Sequence, residues 1–225
     1  MEKSVTFRQL ACPISIPGYG CLAMLAYPSV FLGADRIKVR RLNPSLCLIV
    51  LAWTLLIGAP LFGQTPAVGA KAPDFTLSTP SGKAIKMSAD LQGHALVLVV
   101  LRGFPGYQCP YCVKQVHDFV DHASDFAAED TRVLLVYPGP PADLDQHAKE
   151  FLEKQAELPP NIVLVTDPDY TVTNLYGLRW DAPHETAYPS TFVLDKKGKV
   201  VFEKISHSHG DRLSAEDAVE HLPAR

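Results

Sequence analysis

The sequence predicts an α/β domain built on a central mixed β-sheet flanked by helices, and three observations carry that reading. Ala95-Leu96-Val97-Leu98-Val99-Val100-Leu101 is a continuous apolar, β-rich run, the pattern of a strand covered by helices on both faces. Val113, Val116, Phe119, Val120, Ala123 and Phe126 then recur at helical spacing, so a helix follows that strand closely. The alternation repeats downstream, with 132–137 reading as strand, 144–156 as helix and 162–166 as strand, and this order implies parallel pairing.

The remaining elements fall around this unit. Upstream, Pro73 to Leu77 and Lys83 to Ile85 flank the turn residues Pro80-Ser81-Gly82 and predict an opening hairpin. Ala95 to Leu101 is expected to be the central strand. Downstream, Thr191 to Leu194 and Val200 to Phe202, joined across Asp195-Lys196-Lys197-Gly198, predict an antiparallel edge hairpin, and Ser214 to Leu222 a closing helix.

A chain of 225 residues has room for one such domain and an appendage, and the charge divides it near residue 64. Residues 1–63 carry Lys3, Arg8, Arg36, Lys38, Arg40 and Arg41 against Glu2 and Asp35, a net of +4, whereas the rest holds 15 basic and 22 acidic residues, a net of −7. That balance excludes a nucleic-acid surface, which needs a basic stripe to neutralise phosphates. Arg36-Ile37-Lys38-Val39-Arg40-Arg41 precedes an uncharged apolar run from Leu46 to Phe62, the layout of an export signal. At roughly 17 residues the run is also near the lower limit for a membrane span, so an uncleaved anchor stays open.

Either outcome leaves the positive flank in the cytoplasm and the acidic domain across the membrane, periplasmic or otherwise extracytoplasmic, with the leader its one membrane contact. Residues 1–35 make an unusually long preamble; Met24 would give a more usual n-region. The expected organisation is therefore a leader over 1–63, a Pro/Gly-containing linker over 64–72 and a redox domain over 73–225.

The redox assignment rests on cysteines. Cys12, Cys21 and Cys47 lie in the leader, leaving Cys109 and Cys112 in the domain. With the helix beginning at Pro110, proline occupies the first helical position, where its missing N–H costs nothing, and Cys109 is the N-cap. There the free N–H groups and the positive helix end favour a thiolate. Cys112, one turn on, is placed to attack a mixed disulfide or sulfenic acid formed on Cys109. Other uses of the pair stay open with less support. Structural zinc needs about four ligands, and His117, His207 and His209 are not accompanied by a second cysteine pair. A structural disulfide closing so short a loop stabilises little. Haem attachment needs His where Val113 stands. No metal and no cofactor are expected.

Residues 68–77, Val-Gly-Ala-Lys-Ala-Pro-Asp-Phe-Thr-Leu, resemble the opening of the peroxiredoxin and thiol-specific antioxidant family, related to alkyl hydroperoxide reductases and exported thioredoxin-like proteins. The likeness continues through the strand-Cys-helix unit and Tyr188-Pro189-Ser190-Thr191-Phe192-Val193-Leu194-Asp195, covering roughly 68–205. It implies a thioredoxin-like fold and, for a CxxC-containing exported member, a thiol-dependent peroxidase. The alternative it leaves is a thiol-disulfide oxidoreductase acting on cysteines of client proteins. An external thiol donor such as a thioredoxin-like protein would be the partner, and a small hydroperoxide or a client disulfide the substrate.

Two positions depart from the peroxiredoxin pattern. The Pro-x-x-x-Thr-x-x-Cys slots seven and three before Cys109 hold Arg102 and Gly106, so the hydroxyl that orients a peroxide is missing. Pro189 stands where that family has an arginine and resembles the cis-proline of thioredoxins, which packs beside the disulfide and leaves adjacent backbone free for a substrate chain. Arg102 resembles a strand-end arginine of some CxxC-containing members, where a guanidinium stabilises the thiolate and binds a peroxide oxygen; a plain salt bridge is its bland reading. The loop aromatics Phe104 and Tyr107 are expected to pack over the disulfide, with Tyr107 or Gln108 candidates to replace the absent threonine, and Pro189, Tyr107 and Tyr111 are the expected substrate-binding residues. Trp180, Asp181, His184 and Glu185 precede Pro189, and Glu185 is the candidate among them for moving protons. His207 and His209 read as exposed polar residues.

Overall fold

The computed structural model describes residues 63–224. The predicted hairpin is present as β1 (Thr76–Ser78) and β2 (Ala84–Lys86), antiparallel with Leu77 opposite Ile85. A short α1 (Met87–Leu91) leads to β3 (Ala95–Val100), whose six residues are all buried. Where one helix was expected there are two, α2 (Pro110–Asp121) and α3 (Ala123–Ala128). The break falls at His122, whose Nδ1 lies 2.8 Å from the Asp118 carbonyl that its own N–H also reaches.

Next come β4 (Thr131–Gly139), α4 (Leu144–Leu152), β5 (Ile162–Pro168) and α5 (Thr171–Leu175). The chain closes with β6 (Ser190–Leu194), β7 (Val200–Ile205) and α6 (Ala215–Glu220). α4 stops four residues short of the expected end because the N–H groups of Lys154 and Gln155 bond three residues back, to Phe151 and Leu152, tightening the last turn. α1 and α5, five residues each, are too short to print a periodic pattern. α5 instead starts on the buried Asp167 carboxylate, which accepts from the N–H groups of Val172 (2.9 Å) and Thr173 (2.8 Å) and from the Thr173 hydroxyl (2.7 Å).

The sheet order is β2-β1-β5-β4-β3-β6-β7. β3, β4 and β5 are parallel, β6 and β7 add antiparallel strands on one side, and β1 joins β5 antiparallel. The middle position belongs to β4, so Ala95 to Val100 is interior but one strand from the centre.

Successive β3 side chains point to opposite faces, which separates two cores. Val97, Val99 and Leu101 pack with Cys109, Cys112, Val116, Phe119 and Phe126, while Leu96, Leu98 and Val100 pack with Tyr176, Leu178 and Phe192. Each fully buried aliphatic side chain contributes on the order of 1.5–3 kcal/mol relative to exposure. The cysteines are therefore part of one core wall, held by the same burial that holds the helix.

Among the described residues no helix is long and apolar enough to cross a membrane. The leader, its apolar run from Leu46 to Phe62 and its three cysteines lie outside the described residues.

Candidate active site

The site begins where β3 ends. Leu101 N–H still pairs with Val136 O at 2.9 Å, and Arg102 follows with its side chain only 2% exposed. Gly103 turns the chain at φ 72°, where a Cβ would lie 1.9 Å from the Pro138 carbonyl oxygen, so any side chain would force the backbone to shift. Beyond it the loop is fastened to its neighbours: Phe104 stacks on His147 with centroids 3.7 Å apart. Gln108 donates to His147 O and accepts from the Tyr137 hydroxyl, both at 2.8 Å.

These contacts deliver Cys109 to the start of α2 in extended geometry (φ −72°, ψ 116°), with Pro110 in the first turn, as the sequence predicts. Cys109 and Cys112 are free thiols, 1% and 0% exposed. Their ionisation is driven apart. The Cys112 thiol, and then its main-chain N–H, favour the Cys109 thiolate against the opposing effect of burial. The charge of Arg212 and a hydrogen bond from Arg102 act in the same direction, and the Cys109 pKa falls from 9.0 to about 5. Cys112 goes the other way, pushed well above 9.0 by burial and by its hydrogen bond with Cys109. A charged nucleophile thus faces a protonated partner.

Arg102 is no surface salt bridge. Its Nε donates to Glu185 Oε2 (2.6 Å), Nη1 to the Tyr107 hydroxyl (2.7 Å) and Nη2 to His184 O (2.6 Å). Burial works against its charge, but the bonds to Glu185, Tyr107 and Cys109 outweigh that and hold its pKa above the usual arginine value. Glu185 accepts at its other oxygen from His209 Nε2 at 2.9 Å. Burial alone would raise the Glu185 pKa; the bonds from Arg102 and His209 bring it below the ordinary 4.5. Glu185 accordingly anchors the guanidinium as an ionised carboxylate, a different position from that of a proton carrier.

Three expectations need correction. Among the described residues no peptide bond is cis, so Pro189 precedes β6 in the ordinary trans form. Nor is its neighbouring backbone free: Tyr188 N–H bonds Leu178 O, and Pro189 O accepts from Ser206 N–H at 2.8 Å. The chain after β7 takes up the Pro189 carbonyl, and the segment at Leu178, ahead of β6, takes up the Tyr188 N–H. Tyr107 is 47% exposed, and its hydroxyl accepts from Arg102 Nη1. Tyr111 is half-exposed and tilts against His209, ring centroids 6.3 Å apart. His207 is exposed as expected, its ring edge-on to Tyr188 at 5.0 Å, whereas His209 is only partly exposed and is committed to Glu185.

Sequence reasoning missed Arg212. Its Nη2 lies 3.8 Å from Cys109 Sγ, while Nη1 donates to Gln115 Oε1 and Nε to His209 O, both at 2.8 Å. The signal that would have found it is the strand register: Ile205 pairs with Ser190, and Ser190 with Val100. Whatever follows β7 therefore emerges at the sheet edge where Arg102 leaves β3. Among the described residues no three His, Cys, Asp or Glu side chains gather as a metal site would require.

Comparison with known proteins gives the family and the fold. The chain is 28% identical to peroxiredoxin Bcp of Bacillus subtilis over 145 residues, 62% of this chain and 85% of the relative. It is 27% identical to the thiol-disulfide oxidoreductase ResA of Geobacillus thermodenitrificans over 188 residues, 84% of this chain and 95% of the relative. In fold it is similar to the crystal structure of peroxidoxin BcpB from Mycobacterium tuberculosis, with TM-score 0.56 and 22% identity, covering 70% of this chain and 96% of that one. A peroxiredoxin-like protein from Aquifex aeolicus is comparable, with TM-score 0.55 and 17% identity, covering 71% of this chain and 87% of that one. The fold is thus thioredoxin-like and the chain an oxidoreductase of the thiol peroxidase or disulfide-reductase kind. The AhpC/TSA family model matches residues 68–203, more than half the chain, and the chain belongs to that family.

Proposed function

We propose that the protein is a thiol-dependent peroxidase in which Cys109 is the peroxidatic sulfur and Cys112 resolves it. The observation that carries this reading is the burial of an ionised Cys109, 1% exposed, among guanidinium groups. A small hydroperoxide needs a far smaller opening to reach such a sulfur than a protein disulfide does. The occupied backbone at Tyr188 and Pro189 supports the same preference, since a client chain would have to displace those bonds.

In the first step the Cys109 thiolate attacks the terminal oxygen of the hydroperoxide. The O–O bond breaks, the alcohol or water leaves with one proton from solvent, and Cys109 becomes a sulfenic acid. Arg102 supplies charge where the leaving oxygen becomes negative. In the second step the Cys112 thiol, losing its proton, displaces hydroxide from the sulfenic acid, releasing water and forming the Cys109–Cys112 disulfide. An external dithiol donor returns both thiols and is itself oxidised to a disulfide. The leader layout supports placing this work outside the cytoplasm, and protease accessibility of the domain in intact cells, against a cytoplasmic control, tests that placement.

The deciding experiment uses a chain with Cys12, Cys21 and Cys47 replaced by serine, pre-reduced and mixed with stoichiometric hydrogen peroxide, beside the same chain carrying Cys109→Ser. Loss of two thiols far faster than for a free low-pKa thiol, abolished in the control, supports the peroxidase. Oxidation no faster than a simple thiol overturns it in favour of disulfide exchange. The alignment with ResA over 84% of the chain favours that second reading.

A further inference from the structure

We infer that Arg212 is a catalytic residue of this protein: a second guanidinium that touches the reacting Cys109 sulfur from a segment outside the family's matched region. The inference rests on Cys109 being the reacting thiol, which both the peroxidase and the disulfide-exchange readings share.

Two observations converge. The family match ends at residue 203, yet Arg212 Nη2, from beyond that match, lies 3.8 Å from Cys109 Sγ, beside the hydrogen bond that Arg102 gives the same sulfur. The Arg212 side chain is also aimed: its other two nitrogens, Nη1 and Nε, donate to Gln115 Oε1 and His209 O at 2.8 Å, leaving Nη2 for the sulfur. Gln115 belongs to α2 itself, so the helix that presents the thiolate also holds the cation beside it.

The consequence is chemical. An N–H donor of a permanently charged group lowers the cost of the anion on Cys109 and adds a directed hydrogen bond that a solvated lysine would not hold. Arg212 also lines a cleft of about 380 Å³ with Tyr111, Lys114, Gln115, Asp118 and Leu213, so it borders both open space and the sulfur. The groups that set the Cys109 charge are Cys112, Arg102 and Arg212. Tyr137, whose own ionisation burial and the two cysteines push upward, remains neutral there.

The test is titration of Cys109 by thiolate ultraviolet absorbance in the full chain carrying Cys12, Cys21, Cys47 and Cys112 replaced by serine, with and without Arg212→Met. The comparison is within that background, because Cys112 itself contributes to the Cys109 charge. Removing an adjacent cation is expected to raise the Cys109 pKa by about one unit or more. Arg212→Lys is expected to recover part of that shift. Arg212 is part-buried, and matched far-ultraviolet circular dichroism establishes that each variant is folded. If Arg212→Met does not fold, Gln115→Ala, which releases the guanidinium from its anchor, is expected to give a smaller shift of the same sign. An unchanged Cys109 titration in a folded variant overturns the inference. Because the readout is ionisation, failure of the peroxide assay leaves this result standing, and failure here leaves that assay standing.

Discussion

Two segments meet at Cys109, and they are built differently. Residues 101–112 descend from a fully buried strand, turn at Gly103 and are pinned by Phe104 and Gln108 before the helix begins. Residues 206–212 follow an edge strand and are held by polar contacts: Ser206 to Ser208, His209 to Glu185, and Arg212 to Gln115 and to the His209 carbonyl. The first segment places the nucleophile through packing, the second surrounds it with charge through hydrogen bonds. Packing is cooperative and unforgiving, whereas partly exposed polar contacts contribute about 1 kcal/mol each. The two segments should therefore fail differently when perturbed.

The largest effect is expected from Arg102→Met. It removes a buried cation and leaves Glu185, itself 11% exposed at the side chain, with only His209 as partner. Breaking such a pair costs about 3–5 kcal/mol, and loss of a directed donor slows the reaction by roughly 100-fold. Chemical denaturation and the rate of thiol loss with hydrogen peroxide measure the two. Arg102→Lys, which keeps charge without the planar fork, is expected to slow peroxide reduction more than disulfide exchange; equal slowing would remove the oxygen-positioning role from Arg102.

Acid separates the two kinds of charge at the site. The Cys109 pKa is depressed to about 5, so thiol loss should be flat above that pH and fall about tenfold per unit below it, as the thiolate fraction does. Depression of an acid's pKa stabilises the folded reduced protein in full above the unfolded value near 9.0, and that contribution is lost as pH falls through about 5. The oxidised protein has no such thiolate and should lack that dependence. Glu185, lowered from 4.5, keeps its pairing to lower pH, so a fall in rate already under way at pH 5 reports the cysteine. A rate still flat well below pH 4.5 would assign the profile to another group.

Gly103→Ala should strike the packed segment without touching charge. The positive φ and the nearby Pro138 oxygen require backbone displacement, at a cost of about 1–3 kcal/mol, with a rate reduced only a few-fold where the fold survives. A melting temperature unchanged by this substitution would show the turn to be more pliable than the strand above it.

This contrast also explains what the sequence made legible. The Ala95–Leu101 run, the helical spacing after Cys109 and the Cys-Pro-Tyr-Cys start are local patterns, and the structure reproduces β3, α2 and the N-cap cysteine from them. Arg102 was recognisable because it sits seven residues before the nucleophile. Its pairing was not: Glu185 and His184 were singled out only for preceding Pro189, and they lie 83 and 82 residues away, a separation that the β3–β6 pairing closes. Arg212 and His209 are further still from any motif. Pro189 misled for a related reason: a proline before a strand reads the same in sequence whether its bond is cis or trans, and whether its carbonyl is free or, as here, taken by Ser206.

The smallest effect belongs to Ser214→Ala, and it sharpens the contrast because it probes how far the polar segment is coupled to its own helix. Ser214 caps α6 by accepting from Asp217 N–H at 3.1 Å, and Ala215 N–H is bonded to Asp118 Oδ2 of α2 at 2.7 Å. Loss of the cap should cost about 1 kcal/mol. If residues 206–212 are held by their own contacts to Glu185 and Gln115, the Cys109 titration and the rate of thiol loss stay unchanged while the denaturation midpoint falls. A raised Cys109 pKa in this variant would instead mean that α6 sets the position of Arg212, making the closing helix and the guanidinium one mechanical unit.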